Sequence, residues 1–270
     1  MIDLKDISVL INLTIASLQI KSIKTPYRDL KRTNLHILIY GKVGSTKSSI
    51  LYKVAEILKG DVMKGLTKAN LLGTVDKNTK EVIAPTIWDC RHNFLFIDEY
   101  YLNHRDAIGR ELLNELLSIM ENPFYTKKIS YSSQGFDKKD KGLYCKIKDK
   151  NITIKTKFGL FLNTMMNINS TQIHEFKALK TRCLCVPMYF DRKILQKIAH
   201  GMNLYKYEKL KTKRINCTVS DKIYSQIEDM VYNSKVDDES YLRKIEDLCR
   251  IYAVLGKIDE DIFNLVLSLY

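Results

Sequence analysis

Leu35-His36-Ile37-Leu38-Ile39-Tyr40-Gly41-Lys42-Val43-Gly44-Ser45-Thr46-Lys47-Ser48 is the stretch on which the fold turns. Its first six residues are mostly apolar and β-branched, the composition of a short buried strand. The next eight bring two glycines, two lysines and three hydroxyl side chains into a turn. Helical spacing then runs over 47–58 and stops at Lys59-Gly60. A strand, a glycine turn and a helix in that order make a setting for phosphate. Backbone N–H groups of the turn and of the first helical turn point at the anion, and the helix dipole favours negative charge there. A turn of this composition also arises by chance; the strand before it and the helix after it favour the phosphate reading.

The candidate nucleotide-binding residues are Gly41, Gly44, Ser45, Thr46, Lys47, Ser48 and Ser49. Lys47 is placed to neutralise β- and γ-phosphates and Ser48 to give its hydroxyl to Mg²⁺. Thr46 stands where the usual pattern has its second glycine. About 50 residues on, Phe94-Leu95-Phe96-Ile97 reads as a second buried strand, followed at once by Asp98-Glu99. In that position Asp98 holds Mg²⁺ through water and Glu99 polarises the attacking water. A strand ending in a solvated acidic turn is the plain alternative. The order of the two motifs favours hydrolysis of a nucleoside triphosphate, with ATP and Mg²⁺ as the expected cofactors.

The spacing predicts a helix over 7–22, a helix over 106–121, strands over 158–162 and 183–190, and helices alone over 191–270. Strands separated by helices imply an α/β fold with a mostly parallel sheet. The sequence divides into an N-terminal helical segment (1–31), an α/β core (32–190) and a helical C-terminal domain (191–270). Residues 71–83, with Asp76-Lys77-Asn78 between β-forming flanks, read as a hairpin insertion.

Composition limits the function classes. The 270 residues are 45% hydrophobic with only 4 prolines, so a packed core is expected. No apolar run reaches the roughly 18 residues of a membrane helix, and the start shows no secretory signal. The six cysteines lack zinc spacing; Cys183 and Cys185 read as packed thiols on one strand face, and a reduced, cytoplasmic setting is expected. High Lys, Ile, Asn and Tyr usage suggests an AT-rich genome such as that of a virus or mobile element, in which case the setting is the host cytoplasm.

From residue 32 onward the chain resembles the AAA+ core of the minichromosome maintenance (MCM) replicative helicases. The resemblance rests on 32–41 leading into Lys47-Ser48, with a small residue before the lysine as in that family, and on Ile97-Asp98-Glu99-Tyr100. Met120-Glu121 and Ile129-Ser130-Tyr131-Ser132 are similar to the approach to the family's pre-sensor-1 hairpin. Phe161-Leu162-Asn163 looks like the sensor 1 strand, Leu179-Lys180-Thr181-Arg182 the segment with the arginine finger, and 241–246 the lid helix carrying sensor 2 at Arg243. The resemblance implies a P-loop AAA+ core with a mostly parallel five-stranded sheet between helices, then a small all-helical lid. It implies that Asn163 lies beside the γ-phosphate, and that Arg182 and Arg243 act on nucleotide held by the neighbouring subunit. A homo-oligomeric ring, of six by analogy, and single-stranded DNA in its channel follow on the same ground. The family's long N-terminal region has no counterpart in the 30 or so residues before the core. Either this is a shortened relative or a separate loading protein supplies the DNA. An AAA+ initiator or loader switch that binds DNA or a partner without unwinding is the alternative.

The charge is localised. Residues 124–157 hold ten lysines against three aspartates, a net of +7, and residues 191–216 hold eight basic against two acidic groups, a net of +6. Together they carry the whole formal charge of +13. The first patch spans the proposed hairpin insertion (127–157), where lysines can track a phosphate backbone. Lys138, Lys139, Lys141, Lys146 and Lys148 are the candidate DNA-binding residues, with Tyr131, Phe136 and Tyr144 as candidate stacking partners. The second patch reads as a solvated linker or helix face.

Overall fold

The computed structural model describes residues 4–42, 44–64, 66–67, 71, 73–75, 78, 82–83, 94–98, 107–122, 124–128, 136–140, 143–148, 151–155, 159–164, 173–188, 215–234 and 236–269. Among them, α1 (Leu4–Ser17) and β1 (Ile20–Lys24) precede β2 (Ile37–Tyr40), α2 (Lys47–Leu58), β3 (Val62–Lys64), β4 (Thr74–Val75), β5 (Val82–Ile83), β6 (Phe94–Asp98) and α3 (Ala107–Glu121). Next come β7 (Phe124–Lys128), β8 (Phe136–Asp140), β9 (Leu143–Lys148), β10 (Asn151–Lys155), β11 (Gly159–Thr164), α4 (Ile173–Lys180) and β12 (Leu184–Pro187). The chain closes with β13 (Ile215–Thr218), α5 (Asp221–Tyr232), α6 (Tyr241–Leu255) and α7 (Glu260–Leu267).

A five-stranded sheet in the order β12-β2-β11-β6-β3 is parallel throughout. The α/β fold and its parallel sheet therefore stand as expected. Every residue of β2, β6 and β11 is buried, which is why these strands read as unbroken apolar runs rather than alternating ones. Phe96 and Phe161, facing each other on adjacent strands, stack with ring centroids 5.0 Å apart. Burying each such side chain contributes about 1.5–3 kcal/mol. Helix α2 turns Ile50, Leu51, Val54 and Ala55 inward and packs across β11 and β6. One hydrophobic cluster runs from Ile7 and Leu10 of α1, through Ile37, Phe96 and Phe161, to Leu248 of α6 and Phe263 of α7.

Three features differ from the sequence reading. The helix expected over 7–22 ends at Ser17, and Ile20 begins β1. The C-terminal region is not helix alone, because β13 pairs in parallel with β1, Ile20 opposite Ile215 and Lys24 opposite Thr218. Pairing between segments so far apart overrides local propensity. The expected hairpin insertion over 127–157 is instead a four-stranded antiparallel sheet, β7-β10-β9-β8, beginning at Phe124. Residues 74–75 and 82–83 pair antiparallel, as the hairpin reading required. No described helix is long and apolar enough to cross a membrane.

Candidate functional site

The site lies at the carboxyl ends of the parallel strands, where open α/β sheets leave a crevice. Gly41 leaves β2 at φ 155°, and a Cβ there would come within 2.7 Å of the Met188 carbonyl oxygen just beyond β12. Gly44 has φ 79°, with nothing within 4 Å of where its Cβ would be. Its requirement is thus conformational: the turn needs a left-handed residue beside open space. Thr46 is also left-handed, at φ 61°, and caps α2 without a side-chain bond to it. A β-branched residue in this region is strained by about 1–2 kcal/mol. The glycine that usually precedes the lysine would relieve that strain.

Lys47 begins α2 and is 4% exposed. Its Nζ donates to the Lys42 carbonyl oxygen at 2.6 Å and to Ser45 Oγ at 3.0 Å, so the ammonium lies inside the turn. Burial lowers its pKa and the Asp98 carboxylate works in the opposite direction. Ser48, one residue on, donates its hydroxyl to Asp98 Oδ1 at 2.9 Å. Asn163 closes the arrangement, with Nδ2 donating to Asp98 Oδ1 at 2.7 Å and approaching Ser48 Oγ at 3.2 Å. The strand order explains the meeting. β11 lies between β2 and β6, so Asn163 sits between the turn after β2 and the last residue of β6. Asp98 and Asn163 are almost wholly buried, and among the described residues Asn163 Oδ1 finds no hydrogen-bond partner. An orphaned buried acceptor beside a carboxylate and a hydroxyl is a set of oxygen ligands suited to a hard cation or its water shell. Ser49 faces solvent on α2, while Ser45 and Thr46 are half-buried in the turn. Glu99 lies outside the described residues.

Arg182 and Arg243, separated by 61 residues, meet each other rather than the Ser48–Asp98–Asn163 trio. Both reach Glu121 at the end of α3, Arg182 Nε within 3.0 Å of Oε1 and Arg243 Nη1 within 2.9 Å of Oε2. The Arg243 contact is a hydrogen bond; the Arg182 contact is an ion pair without hydrogen-bond geometry. Arg182 also donates to the Ala178 carbonyl oxygen. Burial works to raise the Glu121 pKa, but the guanidiniums of Arg32, Arg243 and Arg182 outweigh it and hold the carboxyl below its usual range. Both arginines remain partly exposed, at 21% and 32% of their side chains.

Behind this pair is a buried ionic cluster. Asp247 Oδ1 accepts from Arg250 at 2.6 Å and Arg32 at 3.3 Å, and Lys244 stands 3.6 Å from its Oδ2. Arg250 Nε reaches the Arg32 carbonyl oxygen and Arg32 Nη1 the Arg182 carbonyl oxygen, so α6 is tied to the chain just before β2 and just before β12. His36 lies buried directly before β2, with Nδ1 accepting from the Leu160 N–H at 3.2 Å. Burial first, then Arg32, drives its pKa well below 6.5, so it is a neutral packing group.

Sequence reasoning missed Glu121 as a partner of both arginines, and it missed Arg32, Asp247 and Arg250 altogether. Glu121 had a weak signal as the acidic residue ending a helix. The others meet only through tertiary contacts. Of the candidate DNA-binding lysines, Lys138 and Lys139 lie on β8 and Lys146 and Lys148 on β9, while Lys141 and Tyr131 lie outside the described residues. Residues 189–214, which hold most of the second basic patch, also lie outside them. Comparison with known proteins gives no matching family profile and no similar curated protein.

Proposed function

We propose that this chain is an ATP-hydrolysing, DNA-binding motor with a P-loop AAA+ core of the minichromosome maintenance type, working as a homo-oligomeric ring. The observation that carries the reading is the meeting of Ser48, Asp98 and Asn163 beside the left-handed glycine turn and the inward Lys47. Three segments far apart in sequence bring a hydroxyl, a carboxylate and an amide to one point at the mouth of a phosphate-sized turn.

In this reading the turn N–H groups and Lys47 bind the β- and γ-phosphates. Ser48 and Asp98 hold Mg²⁺, which offsets phosphate charge when bound. Asn163 orients the γ-phosphate end, and Glu99 takes a proton from the attacking water. Lys47 must turn from the Lys42 carbonyl oxygen toward the phosphates, a short swing of a flexible side chain. Arg182 and Arg243 engage Glu121 rather than the trio, which fits action on a neighbour's nucleotide. A guanidinium supplied in trans is worth roughly 10³–10⁵ in rate.

The test is ATP turnover and forked-duplex unwinding by the purified protein. Lys47→Ala is expected to abolish ATP binding, and Glu99→Gln to retain binding while stopping turnover. Mixing Lys47→Ala with Arg182→Ala subunits should restore part of the turnover each lacks alone. Turnover that ignores all three substitutions would sink the motor. Nucleotide-dependent assembly without unwinding would favour the initiator or loader switch instead.

A further inference from the structure

The register of the four-stranded sheet sorts the lysines of the first basic patch onto two different faces. Facing residues across an antiparallel ladder share a face, and alternate residues along a strand take opposite faces. One face collects Tyr125 and Lys127 of β7, Ile152 and Ile154 of β10, Leu143, Cys145 and Ile147 of β9, and Phe136, Lys138 and Asp140 of β8. All five positions of the two central strands on this face are apolar, and its charges fall only on the edge strands.

Among the described residues the opposite face carries Lys128, Lys139, Lys146, Lys148 and Lys155 against Asp137 as its one acid. Its first cross-strand row reads Phe124, Lys155, Tyr144, Lys139 from β7 to β8, aromatic and cationic positions alternating. Neighbouring strands lie about 4.8 Å apart, so this row spans about 14 Å. Lys148 and Lys128 flank Asn151 four residues along. An antiparallel sheet with one apolar and one charged face turns the apolar face from water and leaves the charged face wet. A register slip of one residue would exchange the faces, so the apolar set fixes the basic one.

We propose that this basic face is a platform for single-stranded nucleic acid. Phe124 and Tyr144 offer stacking positions for bases, and the lysines between and beside them meet the phosphates. Aromatic positions set among lysines favour a single strand over a duplex, because unpaired bases expose the π-faces that stacking needs. Phe136 and Lys138, grouped with the binding residues on sequence grounds, fall on the other face and leave the set. Phe124, Lys128 and Lys155 join it. The proposal rests on the nucleic-acid half of the function proposed above and is independent of ATP hydrolysis.

Fluorescence anisotropy of labelled oligo-dT across a salt series tests it on the full chain, with oligo-U and a duplex as further probes. Five lysine–phosphate contacts give a log–log salt slope of about −3.5 for a single strand. Lys139→Ala/Lys146→Ala/Lys148→Ala is expected to weaken binding at least tenfold and flatten the slope by about 2. Tyr144→Leu is expected to weaken it about tenfold with the slope unchanged. Lys127→Ala/Lys138→Ala, which removes charge from the apolar face, should shift Kd less than threefold. Equal weakening by the two lysine sets, tighter binding of duplex than of either single strand, or no binding at all overturns the platform. Comparing oligo-dT with oligo-U assigns DNA or RNA as its ligand. ATP turnover measured on the same variants separates the readings. Turnover with face-independent binding fails the platform alone, and face-dependent binding without turnover fails the motor alone.

Discussion

Thr46 and Lys244 show what single residues cost and where the cost is offset. Thr46 holds φ 61° at the start of α2, a conformation glycine adopts without strain. Thr46→Gly should leave the turn in place and raise stability by up to about 1 kcal/mol, because relief of strain is partly offset by the freer unfolded chain. A melting temperature lowered by the change would show that the Thr46 side chain holds the turn. Lys244 is wholly buried in a cluster with Arg32 and Arg250 around Asp247. Burial, against the pull of Asp247, brings its pKa down to about 8. The unfolded chain binds this proton more tightly than the folded one, so the group disfavours folding at neutral pH. The penalty is lifted as pH rises from about 8 towards 10.5. Lys244→Met should therefore fold at least as stably as wild type at pH 7 and lose this rise on the alkaline side, read by denaturant melts at both ends. A loss above about 2 kcal/mol at pH 7 would mean that Asp247 depends on Lys244 after all.

At the scale of elements, legibility followed how local each cause was. α2 was legible over 47–58 because its apolar spacing and its stop at Lys59-Gly60 are local. The stop is a left-handed Lys59 with the Gly60 N–H bonding the Ala55 carbonyl oxygen. A Cβ on Gly60 would meet the Phe96 ring at 2.5 Å, which no sequence pattern announces. Gly60→Ala should cost about 1–3 kcal/mol by overpacking, seen as a lower denaturation midpoint with an unchanged slope. An unchanged midpoint would mean that the Phe96 ring gives way freely. β2, β6 and β11 were legible as apolar runs because a parallel sheet buries both faces. β1 was hidden because Ile20 follows Leu13 at the helical i, i+7 spacing and extends the apolar pattern of α1, and only β13 makes Ile20 a strand residue. Asp98 could be placed from the run before it. The service of Glu121 to two arginines could not, because the three come from the end of α3, the segment after α4 and the first turn of α6.

On the scale of the whole molecule, the ionic cluster joins α6 to the segments before β2 and β12. Asp247 is the acid that Arg32, Lys244 and Arg250 all approach, so Asp247→Asn removes the charge three buried cations face. Leaving a buried charge uncompensated costs about 3–5 kcal/mol, and the variant should fold poorly at neutral pH. Near-wild-type stability, measured by thermal melting, would show that water already solvates these cations. Glu121→Gln should instead leave stability within about 1 kcal/mol of wild type, the two guanidiniums it pairs with directly, Arg182 and Arg243, being partly exposed. If the proposed motor is right, it should lower kcat more than it raises KM, because it disturbs the arginine pair rather than the turn that binds nucleotide. A change confined to KM would count against that role.

The pairing of β1 with β13 also sets an order of events during synthesis. Ile20 and Ile23 leave the ribosome early, yet the strand they pair with is made nearly 200 residues later. At about 5–20 residues per second, roughly 10–40 s pass before that partner exists. Through that interval Ile20 and Ile23 lack the ladder and the core that cover them in the folded chain and stand open to contacts with other chains. Contacts between segments so distant also form slowly in refolding. Pulse-labelled hydrogen exchange should find the β1 amides protected after those of β2, and protection of β1 first would reverse this order.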